Sequence, residues 1–263
     1  MTSALAAAYD RTGAVWQAGP GLIYDRLAAA TLDRCPLDLA GARVLDLGAG
    51  TGAGGRAAQA RGAEVFSVDS AFGMLAAGAS HRLSAAVGDA LALPFSLAAF
   101  DAVVAAFSLN HVDDPVAALR EAVRVLRPGG TIVATAYASD DSHPVRGAVE
   151  AALVAAGWEP EPWFEQVRTV TAPRLATVER ASKTATAAGL TAAHVEHLNV
   201  PFSDLSPEQL VAWRMGLAQY VAFIARLPPA ERTALTCDAL VRLGPDPPPL
   251  VRSIIVLTVV VPG

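Results

Sequence analysis

Three aspartates, each in or just after a short run of strand-forming residues, are the groups in this sequence best suited to hold a polar ligand. Asp46 lies in VLDLGAGTGAGG, Asp69 ends EVFSVD and Asp89 ends AAVGD. Ligands of open α/β sheets bind outside the carboxyl ends of the strands, so residues that follow strands are the candidates for ligand contact. Carboxylates there can accept hydrogen bonds from hydroxyl and amino groups.

The glycine loop behind Asp46 leaves two kinds of ligand to consider. Gly48, Gly50 and Ala53 fit the dinucleotide pattern G-x-G-x-x-A, and Asp69 follows about twenty residues later, as a ribose-binding acid would. Asp46 argues against a dinucleotide, because its charge would repel a pyrophosphate by at least about 1 kcal/mol at close range even in water. A cationic ligand without phosphates would be attracted instead.

Four motifs in order resemble the class I S-adenosylmethionine-dependent methyltransferases, in the branch similar to the ubiquinone and menaquinone methylases. They are VLDLGAGTG, VFSVDSAFGML, VGDALALPF, and FDAVVAAFSLNHVDDP followed by RVLRPGG. Together they extend from Val44 to Gly130. The resemblance implies S-adenosylmethionine as cofactor and S-adenosylhomocysteine as product, and methyl transfer to a small molecule as the reaction.

The resemblance also implies a role for each motif. The glycines would approach the methionyl part of the cofactor, Asp69 would accept both ribose hydroxyls, Asp89 would accept from the adenine amino group, and the Phe107 carbonyl would meet the ammonium group. Phe72 and Met74 would flank the adenine, although core packing is an equal alternative for both. The predicted cofactor-binding residues are Asp46, Gly48, Gly50, Gly52, Asp69, Ser70, Phe72, Met74, Asp89, Ala90 and Phe107.

Two histidines that follow predicted strands are the candidate catalytic residues. His111 comes after FDAVVAAF and His143 follows TIVATAYA within ASDDSHP. Each could act as a base if the acceptor must lose a proton, or could have a loop-bonding role. Asp140 and Asp141 beside His143 suggest a solvated turn ahead of a helix, and we predict no metal site.

Aromatic residues outside the motifs are the candidates for an acceptor pocket, since such pockets are mostly apolar and aromatic. The alternative is that they form the core of the segments that carry them. The predicted pocket residues are Tyr9, Trp16, Tyr24, Trp163, Trp213 and Tyr220. The low charge of these segments favours a small, fairly apolar acceptor.

The order of the predicted elements indicates the fold that must position these residues. Short β-branched runs alternate with helical patterns from Arg43 onward, which is typical of a parallel sheet covered by helices on both faces. We predict an α/β fold: Rossmann-like, doubly wound, with a mostly parallel seven-stranded sheet. One helix should begin with Asp114 as N-cap and Pro115 at its first position, and end at Gly129-Gly130. A further helix is predicted over Pro173 to Ala188.

The predicted domains are an N-terminal helical segment over 1–41, a cofactor-binding core over 42–138, and the remaining strands over 139–263. A helical lid is expected at about 207–243, between a strand at His194 to Phe202 and a last apolar strand. Because no sheet geometry requires an insert of this length, we expect the lid to select the acceptor.

Composition limits the partners that need to be considered. The 263 residues carry 25 acidic and 20 basic side chains, a net charge of −5, so no basic surface for nucleic acid is expected. Two distant cysteines match neither a disulfide framework nor a zinc site, and the apolar C-terminal run is too short to cross a membrane. The N-terminus lacks the charge pattern of an export signal. We therefore expect a cytoplasmic monomer or homodimer with no membrane partner.

Three functions remain open at this point. The first is a small-molecule methyltransferase, with oxygen or nitrogen as the first expectation for the acceptor atom and carbon also possible. The second is an enzyme that binds S-adenosylmethionine on the same fold but catalyses a cyclisation or rearrangement. The third, an NAD-linked oxidoreductase, is disfavoured by Asp46 and RVLRPGG.

Overall fold

A computed structural model describes residues 3–81 and 84–263 of the chain. Its strands are β1 Arg43–Leu47, β2 Glu64–Asp69, β3 Ser84–Val87, β4 Phe100–Ala106, β5 Leu126–Tyr137, β6 His194–Phe202 and β7 Leu250–Val260. Its α-helices are α1 Ser3–Asp10, α2 Gly13–Ala18, α3 Pro20–Leu32, α4 Ala53–Gln59, α5 Phe72–Ala77, α6 Pro115–Val125, α7 Pro144–Ala155, α8 Pro162–Gln166, α9 Val178–Ala187, α10 Pro207–Met215, α11 Ala218–Arg226 and α12 Pro229–Leu243.

The strands form one sheet in the order β3-β2-β1-β4-β5-β7-β6, which has seven strands within the described residues. Neighbours from β3 to β5 are parallel, whereas β7 runs antiparallel to both β5 and β6. The predicted Rossmann-like, mostly parallel α/β fold is therefore confirmed. The strand order reverses between β1 and β4, which is where ligands bind in sheets of this kind.

Helices cover both faces of the sheet, and the packing explains why the strands read as apolar runs. Helices α6 and α9 pack on one face through residues such as Leu119 and Ala181. On the other face, α3 and α4 bury Ala28 and Ala58 against β1 and β4. Farther along this face, α7 and α10 to α12 join α3 in a second large apolar cluster. Strands buried on both faces show little alternation of polar and apolar residues.

The element boundaries agree with several of the predictions and correct others. Strand β6 has the predicted bounds, and Asp114 caps α6 through a 3.0 Å hydrogen bond from the Ala117 amide to Oδ1. Helix α6 ends at Val125 rather than at the two glycines, because the residue ahead of Pro128 is sterically excluded from helical conformation. Helix α9 begins only at Val178, capped by the Thr177 side chain.

The N-terminal segment, defined here as α1 to α3, packs on a face of the sheet through α3 and is bonded to α5 through α1 and α2. The Gly73 amide donates to Asp10 Oδ1 at 2.6 Å, and Gln17 Nε2 donates to the Ala77 carbonyl at 2.7 Å. The approach is so close that a Cβ on Gly73 would lie 1.9 Å from the Asp10 carbonyl oxygen. The proposed division into domains at 41 and 138 stays a prediction.

Among the described residues no helix combines the length and the apolar character needed to cross a bilayer.

Candidate active site

A cavity with about 1000 Å³ of empty space, its open mouth included, lies at the carboxyl ends of β1, β2 and β4. It brings together most of the residues predicted for the cofactor and three of those predicted for the acceptor. Its lining includes Asp46, Gly48, Gly50, Asp69, Ser70, Met74, Asp89, Ala90, Phe107, His111, Tyr9, Trp16 and Tyr24. The cavity therefore has an acidic, glycine-rich end and an aromatic end.

Asp46 is buried under the glycine loop, with only 2 % of its surface exposed. Its Oδ2 accepts a 2.7 Å hydrogen bond from the Gly55 amide in the first turn of α4. Gly54 permits this contact, since a Cβ there would lie 2.6 Å from Asp46 Oδ1. The helix N-terminus that binds the pyrophosphate in dinucleotide-binding folds is thus engaged by a carboxylate of the chain itself.

The loop between β1 and α4 turns through left-handed backbone conformations. Gly48 has φ +68°, and a Cβ on it would lie 2.2 Å from the Ser108 Cβ, so only glycine fits at this position. Gly52 has φ +96° and precedes α4, but it lies outside the lining of the main cavity. The remaining loop backbone faces the cavity, where it can approach a ligand closely.

Asp69, the last residue of β2, connects the glycine loop to the turn before α5. Its Oδ2 accepts from the Gly50 amide and its Oδ1 from the Ala71 amide, each at 2.8 Å. These bonds orient the carboxylate at the edge of the cavity, whose lining includes Asp69. Its role as the ribose-binding residue stays a prediction.

Asp89, the third carboxylate at the acidic end of the cavity, lies just after β3. Asp89 Oδ1 accepts from the Leu91 amide at 3.0 Å, and Asp89 lines the cavity together with Ala90. Met74 is buried against the cavity, whereas Phe72 points to solvent with 65 % of its surface exposed. The structure therefore places Met74, but not Phe72, where it could contact an adenine.

Phe107 ends the fourth strand in a strained backbone conformation. Its φ is +58°, which is rare for a residue with a side chain and is typical of positions held by their surroundings at functional sites. The Phe107 amide donates to the Thr135 carbonyl at 3.1 Å. The ring packs 4.5 Å from Tyr137 and 5.4 Å from Tyr24, centroid to centroid.

The aromatic end of the cavity is formed mainly by the N-terminal segment. Trp16 lies 5.8 Å from Tyr9 and 4.8 Å from Tyr24 between ring centroids, and Tyr24 continues the contact to Phe107. These rings form a wall from α1 to the end of β4. The prediction that Tyr9, Trp16 and Tyr24 lie at the pocket agrees with this geometry.

Tyr9 and His111, which are 102 positions apart, meet at this end of the cavity. The Tyr9 hydroxyl lies 3.3 Å from His111 Nε2, and the rings are 5.5 Å apart in an edge contact. Burial lowers the pKa of His111 to about 4, and burial also raises the pKa of Tyr9 above its ordinary value. Both groups are therefore neutral near pH 7. The His111 Nδ1 atom is buried without a hydrogen-bond partner among the described residues.

His143 is not brought to the cavity, so the geometry does not support the prediction that it acts in catalysis. Its Nδ1 accepts from the Val145 amide at 3.2 Å as the N-cap of α7, and its Nε2 lies 2.8 Å from the Pro248 carbonyl. One neutral tautomer satisfies both bonds, because Nε2–H can donate while Nδ1 accepts. The histidine thus joins α7 to the segment before β7.

Three predicted pocket aromatics also lie away from the cavity, so the prediction for them needs correction. Trp163 packs under α1 and donates from Nε1 to Glu161 at 3.1 Å. Trp213 in α10 and Tyr220 in α11 are buried in the apolar cluster that α7 and α10 to α12 form with α3. The Tyr220 hydroxyl donates to Glu150 Oε1 at 2.8 Å. Their burial against other helices, rather than against the cavity, is the physical reason.

Sequence reasoning did not single out several residues that line the cavity, Ser108 and Val112 among them, and it missed one buried charge. The Ser108 Oγ donates to the Leu47 carbonyl at 2.7 Å. Arg252 lies buried in β7, where a charged residue inside the apolar run LVRSIIVLTVV was the available signal. No group of His, Cys, Asp and Glu in the described part of the chain is arranged to hold a metal ion.

Comparison with known sequences finds similarity to methyltransferases. Residues 45–134 match the family model described as a methyltransferase domain. The demethylmenaquinone methyltransferase of Mycolicibacterium gilvum is 40% identical over 139 residues, which are 53% of this chain and 59% of that protein. That of Renibacterium salmoninarum is 37% identical over 149 residues, 56% of this chain and 60% of that protein. The chain thus covers about three fifths of the length of these relatives.

Solved structures extend the similarity over more of the chain. The (4+2)-cyclase SpnF has a TM-score of 0.54 at 26% identity, over 90% of this chain and 80% of that chain. Haemonchus contortus phosphoethanolamine N-methyltransferase 2 in complex with S-adenosyl-L-methionine has a TM-score of 0.56 at 25% identity, over 90% of this chain and 52% of that one. By its fold and by its sequence from residue 45 to residue 134, the chain is similar to the class I S-adenosylmethionine-dependent methyltransferases and, among them, to the menaquinone-methylase branch.

Proposed function

We propose that the protein transfers the methyl group of S-adenosylmethionine to a small, fairly apolar acceptor. The observation that carries this proposal is the single cavity in which three carboxylates lie at one end and a wall of aromatic rings at the other. The first end suits a polar, positively charged cofactor. The second suits an acceptor that binds through apolar surface.

The charges at the cofactor end support a cation without phosphates. The lining includes Asp46, Asp69 and Asp89 and, within the described residues, no lysine or arginine. A pyrophosphate would meet these carboxylates at a cost of about 4 kcal/mol per close pair at an effective dielectric constant of 20. The sulfonium and ammonium groups of S-adenosylmethionine would be attracted by them. In this assignment Asp69 holds the ribose, Asp89 the adenine and the Phe107 carbonyl the ammonium group.

The aromatic end supports an in-line displacement with little solvent. The acceptor lone pair attacks the methyl carbon, the carbon–sulfur bond breaks, and S-adenosylhomocysteine leaves as a neutral thioether. Catalysis then consists mainly of holding the two reactants in line. The wall formed by Tyr9, Trp16, Tyr24 and Phe107 would align the acceptor and exclude water.

An acceptor that must lose a proton would find a base at this end. His111 is unprotonated near pH 7, and its Nε2 is already within reach of the Tyr9 hydroxyl. In our proposal the acceptor proton passes to His111 Nε2, directly or through the Tyr9 oxygen, as the methyl group is transferred. Oxygen and nitrogen acceptors are the first expectation, and a carbon acceptor activated by a neighbouring hydroxyl fits the same arrangement.

A cyclisation or rearrangement without methyl transfer is the second candidate. It is favoured by the similarity to the cyclase SpnF over 90% of this chain. The same cavity would then bind S-adenosylmethionine without consuming it, and the aromatic wall would fold an apolar substrate. The two candidates differ in whether the label of a methyl-labelled cofactor appears in the product.

The test is incubation of the purified protein with methyl-labelled S-adenosylmethionine and a panel of acceptors, with products identified by mass. The panel consists of demethylmenaquinone, which the curated relatives are named for, and simple phenols, amines and carboxylates. Labelled product from any member supports the proposal. Cofactor binding without label transfer to any of them would overturn it in favour of the second candidate. A thermal shift with NAD and none with S-adenosylhomocysteine would overturn both.

A further inference from the structure

Arg252 is a buried charge in the middle of the last strand, and it lies outside the cavity lining. Only 5 % of its surface is exposed. One guanidinium nitrogen, Nη2, donates to Asp141 Oδ2 at 2.5 Å, while Asp141 Oδ1 accepts from the Ser253 amide at 2.9 Å. The cost of taking two charges out of water can exceed the attraction between them, so a buried ion pair is weak evidence for stability. The presence of this pair therefore calls for an explanation other than stability.

The guanidinium is stacked between two aromatic rings. Its Cζ lies 4.1 Å from the centroid of Tyr137 in β5 and 4.7 Å from that of Trp213 in α10. Trp213 is almost fully buried. Arginine is suited to this position, because its planar group can stack on rings while it donates to a carboxylate. The contacts thus join α10 to strands β5 and β7 of the sheet.

Tyr137, on the other side of this stack, lies directly behind the cavity wall. Its ring centroid is 4.5 Å from Phe107 and 6.2 Å from Tyr24, and both of these residues line the cavity. Burial raises the pKa of Tyr24, and the nearby Tyr137 and Arg252 oppose that effect. A continuous set of contacts therefore runs from Trp213 through Arg252 and Tyr137 to the acceptor end.

We propose that Arg252, stacked between Tyr137 and Trp213, is a positioning residue that fixes Tyr24 and Phe107 in the wall of the acceptor compartment. Its guanidinium holds the Tyr137 ring from behind, and Tyr137 sets how far the two wall residues can move. The part that concerns the acceptor rests on the proposed function. Helix α10 thereby influences acceptor binding without a residue of its own at the cavity.

Arg252→Lys is the variant that separates positioning from charge. Lysine keeps the positive charge beside Asp141 but loses the planar stack. Trp213→Leu is the second variant, which keeps an apolar side chain and removes one stacking face. Arg242→Lys is the matched control, since Arg242 is a half-exposed arginine paired with Asp238 in α12, outside the contacts described.

The tyrosines make the test direct. The chain has 4 of them, so protein labelled with 3-fluorotyrosine gives four fluorine-19 resonances that single Tyr→Phe variants can assign. We expect Arg252→Lys and Trp213→Leu to shift or broaden the Tyr137 and Tyr24 resonances. Tyr220 should stay unchanged in Arg252→Lys, and all four should stay unchanged in Arg242→Lys. A Tyr24 resonance that is unmoved in both folded variants would overturn the proposal. If Arg252→Lys does not fold, Trp213→Leu decides the result.

The kinetic readout adds the functional consequence. With demethylmenaquinone as acceptor, we expect the acceptor KM of Arg252→Lys to rise at least tenfold. The Kd for S-adenosylhomocysteine should change less than twofold, because the Phe107 backbone assigned to the ammonium group is held by its own bond to the Thr135 carbonyl, whereas Tyr137 contacts the Phe107 ring. A merely structural role would lower stability without this split. Equal losses in acceptor KM and cofactor Kd would contradict selective action on the acceptor end. The fluorine spectra need no turnover, so they test positioning even if methyl transfer is not the reaction.

Discussion

The two ends of the cavity are built in different ways. At the cofactor end, carboxylates are held by backbone amides within the motif-bearing segment, as Asp69 is held by Gly50, 19 positions away, and by Ala71. At the acceptor end, side chains from the N-terminal segment pack on residues after β4, as Tyr9 packs on His111. The first end depends on a local motif, and the second depends on contacts between distant parts of the chain. Cofactor binding should therefore tolerate changes that alter acceptor binding.

The largest expected effect lies at the acceptor end. His111→Gln removes the proposed base, so kcat should fall by about 10²- to 10⁴-fold, while the affinity for S-adenosylhomocysteine stays close to that of the wild type. The matched control is His197→Gln, since His197 is paired with Asp140 away from the cavity. Steady-state kinetics and calorimetric titration measure the two quantities. A kcat within threefold of wild type would remove His111 from the mechanism.

The same histidine should make stability depend on pH. Its pKa is about 4 in the folded protein and about 6.5 when unfolded, so the unfolded chain binds the proton more tightly. The free energy of unfolding should accordingly rise with pH between about 4 and 6.5, by at most about 3 kcal/mol from this group. Denaturant titrations across this range should show a flatter profile for His111→Gln. Parallel profiles would contradict the buried, neutral histidine.

At the cofactor end, Asp69→Ala should weaken S-adenosylhomocysteine binding by about 2–4 kcal/mol, because it removes the proposed acceptor of the ribose hydroxyls and the acceptor of two backbone amides. Asp69→Asn should lose less. Asp38→Ala, which removes a similar carboxylate–amide bond at an exposed turn, is the control. Calorimetric titration measures the affinity. An unchanged affinity in a folded Asp69→Ala protein would show that the ribose is held elsewhere.

The smallest effect concerns a residue that the sequence placed at the pocket. Tyr220→Phe removes the 2.8 Å bond to Glu150 and should lower the free energy of unfolding by about 1–2 kcal/mol. Acceptor KM and cofactor affinity should both stay at wild-type values, because Tyr220 does not line the cavity. A tenfold change in acceptor KM would show that Tyr220 does act on acceptor binding and that the acceptor end of the cavity extends to α11.

The same contrast explains how far the sequence alone could predict the site. The motifs with the glycine loop, Asp69 and Asp89 predicted a cofactor site from these residues. They do line one cavity at the carboxyl ends of the strands, since parallel strands bring these ends together, and their cofactor roles stay predictions. The sheet followed from the alternation of short apolar runs and helical patterns. Phe72 was assigned a cavity contact because it precedes Met74 in a motif, but helix α5 turns it to solvent.

The acceptor end was harder to predict, because an aromatic residue in a helix looks the same whether it faces a cavity or a core. Trp16 faces the cavity and Trp213 faces Arg252, and only the packing of distant segments distinguishes them. The Tyr9 contact with His111 likewise has no local signature. His143 was misjudged since its position after a strand suggested catalysis, whereas its two hydrogen bonds are those of a helix cap.

The position of Arg252 in the last strand has a consequence for the order in which the protein is made. Tyr24 leaves the ribosome well before Arg252, the arginine behind its neighbour Tyr137, because Arg252 follows Tyr24 by 228 positions (252 − 24). The strands that carry the glycine loop and Asp69 are complete much sooner. Contacts of such high sequence separation form slowly, since a long loop must close first. A nascent chain can therefore assemble the cofactor end while the wall for the acceptor still waits for its C-terminal strand.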